Sequence, residues 1–362
     1  MSPYFFQATL TVLAEMILPC FDRFPFWSKT CSLEESEMLE IVPRLLVLMI
    51  LPVIGWAAPG SESDSINAAA INAVQSGPIG PGAKGPAVAR AQILLARAHF
   101  SCGQIDGDYG TNMEKTVTAF EQARGLPADG RVGAEGWAAL NADTAPVIVT
   151  YTIDSQDVAG PFVSVPSSMM EQAKLAYLGY ASPLDQLAEK FHASPSLMGA
   201  LNPGTNFSGA GERILVPNTL TMPPGTAARV VVSKGDSSVT VYDGHGRLLA
   251  YYVATVGSEH DPLPIGDWEI RGVSRNPVFH YNPRLFWDAN PQDEKAVIPA
   301  GPRNPVGVVW IDLSKDHYGI HGTPDPAKIG HTESHGCIRL TNWDASQLAE
   351  MVKPGTPATL KE

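Results

Sequence analysis

The chain has 362 residues, 44% of them hydrophobic, so it is long enough for about two to three domains and apolar enough to build real cores. Its 25 Lys and Arg are outnumbered by 37 Asp and Glu, giving a formal charge of −12, and no basic run occurs anywhere. That balance argues against nucleic acid as a partner. The 33 glycines and 31 prolines concentrate between elements, where they mark turns and linkers.

Leu45 to Ala58 is an apolar run (LLVLMILPVIGWAA) preceded by Arg44 and followed by Pro, Gly and Ser. It is shorter than the roughly 20 residues a membrane span needs. With Gly55-Trp56-Ala57 as a small-x-small cleavage site, it fits the apolar region of a secretory signal peptide. Residues 1–58 therefore read as a leader, with the signal at 38–57, Met38 as its start, and 1–37 as an extension foreign to it. The alternative is an N-terminal anchor helix. On the first reading the membrane is met only through a transient leader and the mature protein is exported to the periplasm. Loss of the leader removes Cys20 and Cys31 and leaves Cys102 and Cys337, which do not read as a disulfide framework. Cys102 reads as a small packed side chain.

A Ser/Gly/Pro/Ala stretch at 59–85 reads as a flexible linker. Val88, Ala91, Leu95 and Ala98 then recur at helical spacing. The loop Ile105-Asp106-Gly107-Asp108-Tyr109-Gly110 leads to a second helix carrying Met113, Val117 and Phe120. Gly125-Leu126-Pro127-Ala128-Asp129-Gly130 breaks it, and a short helix with Trp137 and Leu140 follows. Read from the residues alone, this is a small three-helix bundle. The order and spacing of the two Asp-Gly loops over residues 86–142 resemble the peptidoglycan-binding type 1 module.

Residues 149–218 open on a strand-like Tyr151-Thr152-Ile153 and continue to a helix at Leu184–Phe191. Ser196–Gly204 then leads into Arg213-Ile214-Leu215-Val216-Pro217-Asn218. The ending resembles a LysM domain, whose kin bind N-acetylglucosamine in glycan strands. It departs from that pattern by some thirty residues, Asp154 to Pro183, inserted between the first strand and first helix. The segment is expected to be a LysM-like α/β module acting as a packing or substrate-positioning spacer.

From Arg229 the periodicity changes to two. Val230, Val232, Val239 and Val241 alternate with polar neighbours, and Asp243-Gly244-His245-Gly246 turns a hairpin into Arg247–Val256. Little helix is expected until Trp343–Val352. Residues 229–361 are thus expected to form a β-rich domain, a sandwich or barrel.

This last domain holds the chemistry. Ser334-His335-Gly336-Cys337-Ile338-Arg339 is preceded, sixteen residues before the cysteine, by His321 in Ile320-His321-Gly322-Thr323. A thiolate is the attacking form of cysteine, and a free thiol has a pKa of about 8.5, so a nearby imidazole is needed near neutral pH. Glycine beside the nucleophile lets the backbone approach a carbonyl and offer N–H groups to an oxyanion. Arginine pairs bidentately with carboxylates. A zinc site from His321, His331, His335 and Cys337 is the competing reading. His331-Thr332-Glu333 lacks the second histidine spacing of HExxH, so neither a metal nor a cofactor is expected.

The stretch from His321 to Arg339 resembles the active-site signature of the L,D-transpeptidases of the YkuD family. Pro264-Ile265-Gly266-Asp267-Trp268-Glu269-Ile270, Asn304-Pro305-Val306-Gly307 and Trp310-Ile311-Asp312-Leu313 resemble that family's upstream strands. The resemblance implies a catalytic domain over 229–361 with Cys337 as nucleophile and His321 as base, its imidazole held by the main-chain carbonyl of Gly322. The N–H groups of Gly336 and Cys337 would form the oxyanion hole, and Arg339 would bind a substrate carboxylate. Ser334 would hydrogen-bond within the loop. His335 either supports the thiolate or shapes the loop.

The activity implied is formation of 3→3 cross-links between peptidoglycan stem peptides through a Cys337 thioester, with release of terminal D-alanine and sensitivity to carbapenems. Water or a lipoprotein amine as acceptor would instead make the enzyme a carboxypeptidase or a wall ligase. A non-catalytic wall-binding protein, holding glycan strands through its modules, is the third reading.

Overall fold

The computed structural model describes residues 66–362; the leader, with its signal peptide and preceding extension, lies outside the described residues. The described residues form one compact unit. The linker expected at 59–85 is corrected over its described part. α1 (Ala68–Asn72) buries Ile71 completely, and Asn72 Oδ1 accepts hydrogen bonds from the N–H groups of Val147 and Ile148, both at 2.9 Å. Ile79 bridges to Val132. Its loop-like composition hid partners some 50 to 75 residues away, which no local pattern can reveal.

α2 (Pro86–Arg97) starts with proline at its first turn, and α3 (Thr111–Arg124) ends on Gly125 at φ +68°, the left-handed cap that glycine allows. Between them lies β1 (Phe100–Ser101), and α4 (Ala134–Leu140) closes the module with Trp137 buried. In the middle segment, β2 (Ile148–Thr152) is followed by the short α5 (Met169–Gln172), then α6 (Pro183–Lys190) and α7 (Pro195–Leu201). β3 (Arg213–Pro217) returns to pair antiparallel with β2. Ser182 and Ser194 cap α6 and α7 by accepting from the N–H groups of Asp185 and Leu197. One hydrophobic core runs through both segments, from Val88 and Phe120 to Leu187, Met198 and Val216.

The remainder is β-rich, as its period-two pattern predicts. β4 (Arg229–Ser233), β5 (Ser238–Tyr242) and β6 (Leu248–Val253) form a meander, followed by the long β7 (Gly266–Arg275). β8 (Phe279–Tyr281) and β9 (Ala296–Ile298) make a separate two-stranded cap. β10 (Val309–Leu313), β11 (Gly319–His321), β12 (Ile338–Arg339), α8 (Asn342–Met351) and β13 (Pro357–Lys361) complete the chain. Among the described residues the main sheet has nine strands, in the order β1-β6-β5-β4-β13-β7-β10-β11-β12. An antiparallel bridge between Thr255, just past β6, and Arg339 joins the two sides, so the β-domain closes on itself as a barrel would.

The N-terminal module contributes a strand to this sheet, because β1 pairs parallel with β6, Phe100 opposite Tyr251. The middle segment is tied on by charge. Arg303 donates to Glu189 at 2.9 Å and pairs with Asp185, and Asn342 donates to the other Glu189 oxygen at 2.8 Å. Burying ions is costly unless each is paired and hydrogen-bonded, and here each is.

Candidate active site

Three adjacent strands assemble the residues expected to act. β10 sets Trp310 opposite His321 in β11, and β11 sets His321 opposite Arg339 in β12. Cys337 is the last residue before β12, so the strand fixes the position of its backbone.

His321 is buried, and its ring stacks on Trp310 with centroids 5.4 Å apart and planes 17° from parallel. Its Nδ1 lies 2.7 Å from the Gly322 carbonyl oxygen. A carbonyl only accepts, so Nδ1 carries the proton and Nε2 presents its lone pair. Burial pushes the imidazole pKa down to about 3, Arg339 adds to the fall, and the Gly322 carbonyl opposes it. His321 is therefore neutral near pH 7.

Cys337 is half-buried, and its Sγ donates to the His317 carbonyl at 3.7 Å. Burial raises the thiol pKa, against the pull of the Gly319 N–H and the Arg339 charge. The resting pair is thus a thiol and a neutral imidazole. No hydrogen bond joins Sγ to His321 among the described residues. Catalytic contacts of this kind commonly close only around substrate.

The glycines are there because nothing larger fits. A Cβ on Gly322 would stand 2.1 Å from Asn342 Oδ1, and one on Gly307 would stand 2.0 Å from the same atom. Gly336 takes φ +91° with its face against the Tyr318 ring, 2.7 Å from where a Cβ would be. Among the described residues, neither the Gly336 nor the Cys337 N–H is spent on a turn or side-chain hydrogen bond. Ser334 Oγ donates to the Cys337 carbonyl at 2.5 Å and tightens this loop.

Arg339 is half-buried and forms no ion pair among the described residues, which leaves its guanidinium to an incoming anion. His335 points elsewhere, toward the cap: its Nε2 lies 2.9 Å from Asp288 Oδ1, and its ring meets Phe286 edge to face at 5.0 Å. His331 lies outside this group, against Asn112 at 3.4 Å. Cys102 is buried, with its thiol pKa pushed far up by desolvation.

Two cavities, of about 300 and 260 Å³, flank the loop that joins His321 to Cys337 and share Gln104, Pro326 and Ala327. Sequence reasoning missed Asn342, Asp288, Phe286 and the ring contact of Trp310. Trp310 could have been found, because a two-residue register along a strand pair predicts it. Asn342 and the cap residues carry no local signal.

Residues 227–360 match the family described as YkuD, "L,D-transpeptidase catalytic domain", and residues 84–140 match the "Putative peptidoglycan binding domain". The protein named "Putative L,D-transpeptidase YkuD" in Bacillus licheniformis is 31% identical over 179 residues, which span 49% of this chain and 92% of that one. Its namesake in Bacillus subtilis is 32% identical over 178 residues, with the same coverage of 49% and 92%. A solved L,D-transpeptidase from Xylanimonas cellulosilytica is 17% identical, with a TM-score of 0.34 over 78% of this chain and 96% of that one. The chain belongs to the YkuD family of L,D-transpeptidases and carries an N-terminal module of the peptidoglycan-binding type.

Proposed function

We propose that this protein is an exported, periplasmic peptidoglycan L,D-transpeptidase that forms 3→3 cross-links through a thioester on Cys337. The observation that carries the reading is the register of β11 and β12, which lines up His321 with Arg339, two residues beyond Cys337. A base, a nucleophile and an anion-binding group thereby share one strand junction, and family membership supplies the reaction class.

In the first half-reaction the Cys337 sulfur attacks the carbonyl of the third stem residue's L-centre while its proton passes to His321 Nε2. The N–H groups of Gly336 and Cys337 receive the oxyanion. The intermediate collapses, the amide C–N bond breaks, and His321 returns the proton to the departing D-alanine amine. In the second half the side-chain amine of another stem attacks the thioester, loses a proton to His321, and the C–S bond breaks to restore the thiol. Arg339 holds a stem carboxylate throughout. A neutral orienting carbonyl suits a base that must take up and return a proton twice per turnover. His335, turned to Asp288, supports the loop rather than the proton transfer. Carbapenems would acylate the same sulfur.

Residues 86–142 would hold the wall. Residues 149–218 would be a LysM-like module, a reading supported by the β2-α6-α7-β3 order that encloses the insertion. The test is mass analysis of disaccharide-tetrapeptide incubated with the protein. Cross-linked dimer minus one D-alanine supports the transpeptidase. Tripeptide alone favours the hydrolase, and no product, with wall binding intact in Cys337→Ala, favours the wall-binding protein.

A further inference from the structure

The first part of the insertion stays on its own module, with Val158 against that core and Asp157 paired with Lys190, but the apolar residues from Val165 to Leu178 pack elsewhere. Leu178, fully buried, forms a small core with Tyr281 and Ile298 of the β8–β9 cap. Met169, Met170 and Leu175 line one side of this core, and Phe279, Phe286 and Ala296 the other. The backbone is stitched as well. Leu178 N–H donates to the Ala300 carbonyl, and Arg303 N–H to the Leu178 carbonyl, both at 3.0 Å. Gly301, at φ +143°, lies so close that a Cβ there would be 2.2 Å from the Leu178 oxygen.

A two-stranded sheet is at best marginally stable in water and needs a surface to pack on. Among the described residues the cap contributes two buried apolar side chains to this core, Tyr281 and Ile298, and the third, Leu178, comes from another module. The cap in turn touches the catalytic loop through Phe286 and Asp288 on His335, two residues before Cys337.

Building on the transpeptidase reading, we infer that segment 154–182 braces the cap over Cys337, and that Leu178 is a positioning residue for donor binding at that thiol. The middle module thereby sets the shape of the donor cleft. Loosening the brace weakens binding of a bulky acyl donor and leaves the intrinsic reactivity of the sulfur in place.

The test uses the full chain with Leu178→Ala, which removes buried volume, and Gly301→Ala, which forces the seam apart without touching the core. Leu178→Met, which conserves volume, is the rescue control. Three readouts are compared: hydrogen exchange of residues 279–298, the saturation constant and maximal rate of imipenem acylation, and alkylation by iodoacetamide. Faster exchange confined to the cap is expected, with the imipenem saturation constant raised about tenfold, maximal rate and alkylation changed less than about twofold, and Leu178→Met near the parent. Unchanged cap exchange, or a parallel fall in both chemistries, would overturn the brace. If the unaltered protein takes up no imipenem, the transpeptidase reading fails, while cap exchange still decides the inference.

Discussion

Ser101 donates its hydroxyl to Asp344 Oδ2 across 2.8 Å, with both side chains buried, so a residue of β1 in the wall-binding module is hydrogen-bonded to the first turn of α8 in the catalytic domain. Desolvation pushes the Asp344 carboxyl up to about 7, against the hydrogen bonds from Thr341 and Ser101. A carboxyl whose folded pKa lies above its unfolded one binds more protons when folded. Its contribution is therefore greatest below the unfolded value near 4 and falls as pH rises toward 7. Asp344→Asn is expected to gain stability over the parent between pH 5 and 8, by about 1–3 kcal/mol at the alkaline end. Paired thermal melts across that range check it, and a difference that stays flat with pH would contradict the buried-acid account.

His321 and His192 run the other way. Burial lowers both to about 3, so the unfolded chain binds protons below its own pKa near 6.5 while the folded chain does not. Stability is lost as pH falls below that point, by about 1.4 kcal/mol per pH unit for each histidine. The same neutral His321 predicts an acylation rate with imipenem that varies less than about threefold from pH 6 to 8. A tenfold rise per pH unit in that window would mean that the rate follows the thiolate fraction instead. His321→Gln should slow acylation by about 100- to 10,000-fold at any of these pH values.

Gly322 is pinned between His321 and Asn342. Gly322→Ala is expected to cost about 1–3 kcal/mol of stability by overpacking, because Asn342 is held by Glu189 and Pro302 and has little room to move. The carbonyl that orients His321 shifts with it, so acylation should fall by more than stability explains. A chemical melt and an imipenem rate on the same preparation separate the two effects. A stable variant with the parent's rate would show that the seam is looser than its distances.

Arg339 lacks an ionic partner among the described residues, so its replacement strands no buried carboxylate. Arg339→Gln should raise KM for a tetrapeptide donor about tenfold or more with a smaller change in kcat, and Arg339→Lys should recover only part of the loss, since ammonium cannot form the paired fork. Steady-state kinetics with donor varied at fixed acceptor decides it. A pure kcat effect would move Arg339 from binding to the chemical step.

Much of this site was legible in the sequence. Thiol, imidazole and glycines stand close in the chain because consecutive strands carry them, and the helices of residues 86–142 follow from apolar spacing that their own turns enforce. What stayed hidden was long-range. β1 is two residues long, too short to show a period, yet it extends the catalytic sheet. Segment 154–182 reads as an interruption of its own module because its apolar residues from Val165 to Leu178 face a cap about a hundred positions away. Asn72 and Asn342 look like ordinary polar residues until their backbone partners are known.

Intact-mass measurement after incubation with imipenem asks whether the Cys337 sulfur is open to an acyl donor. A single covalent adduct is expected on the unaltered protein and none on Cys337→Ala. No adduct on either, or one that persists without Cys337, would contradict it.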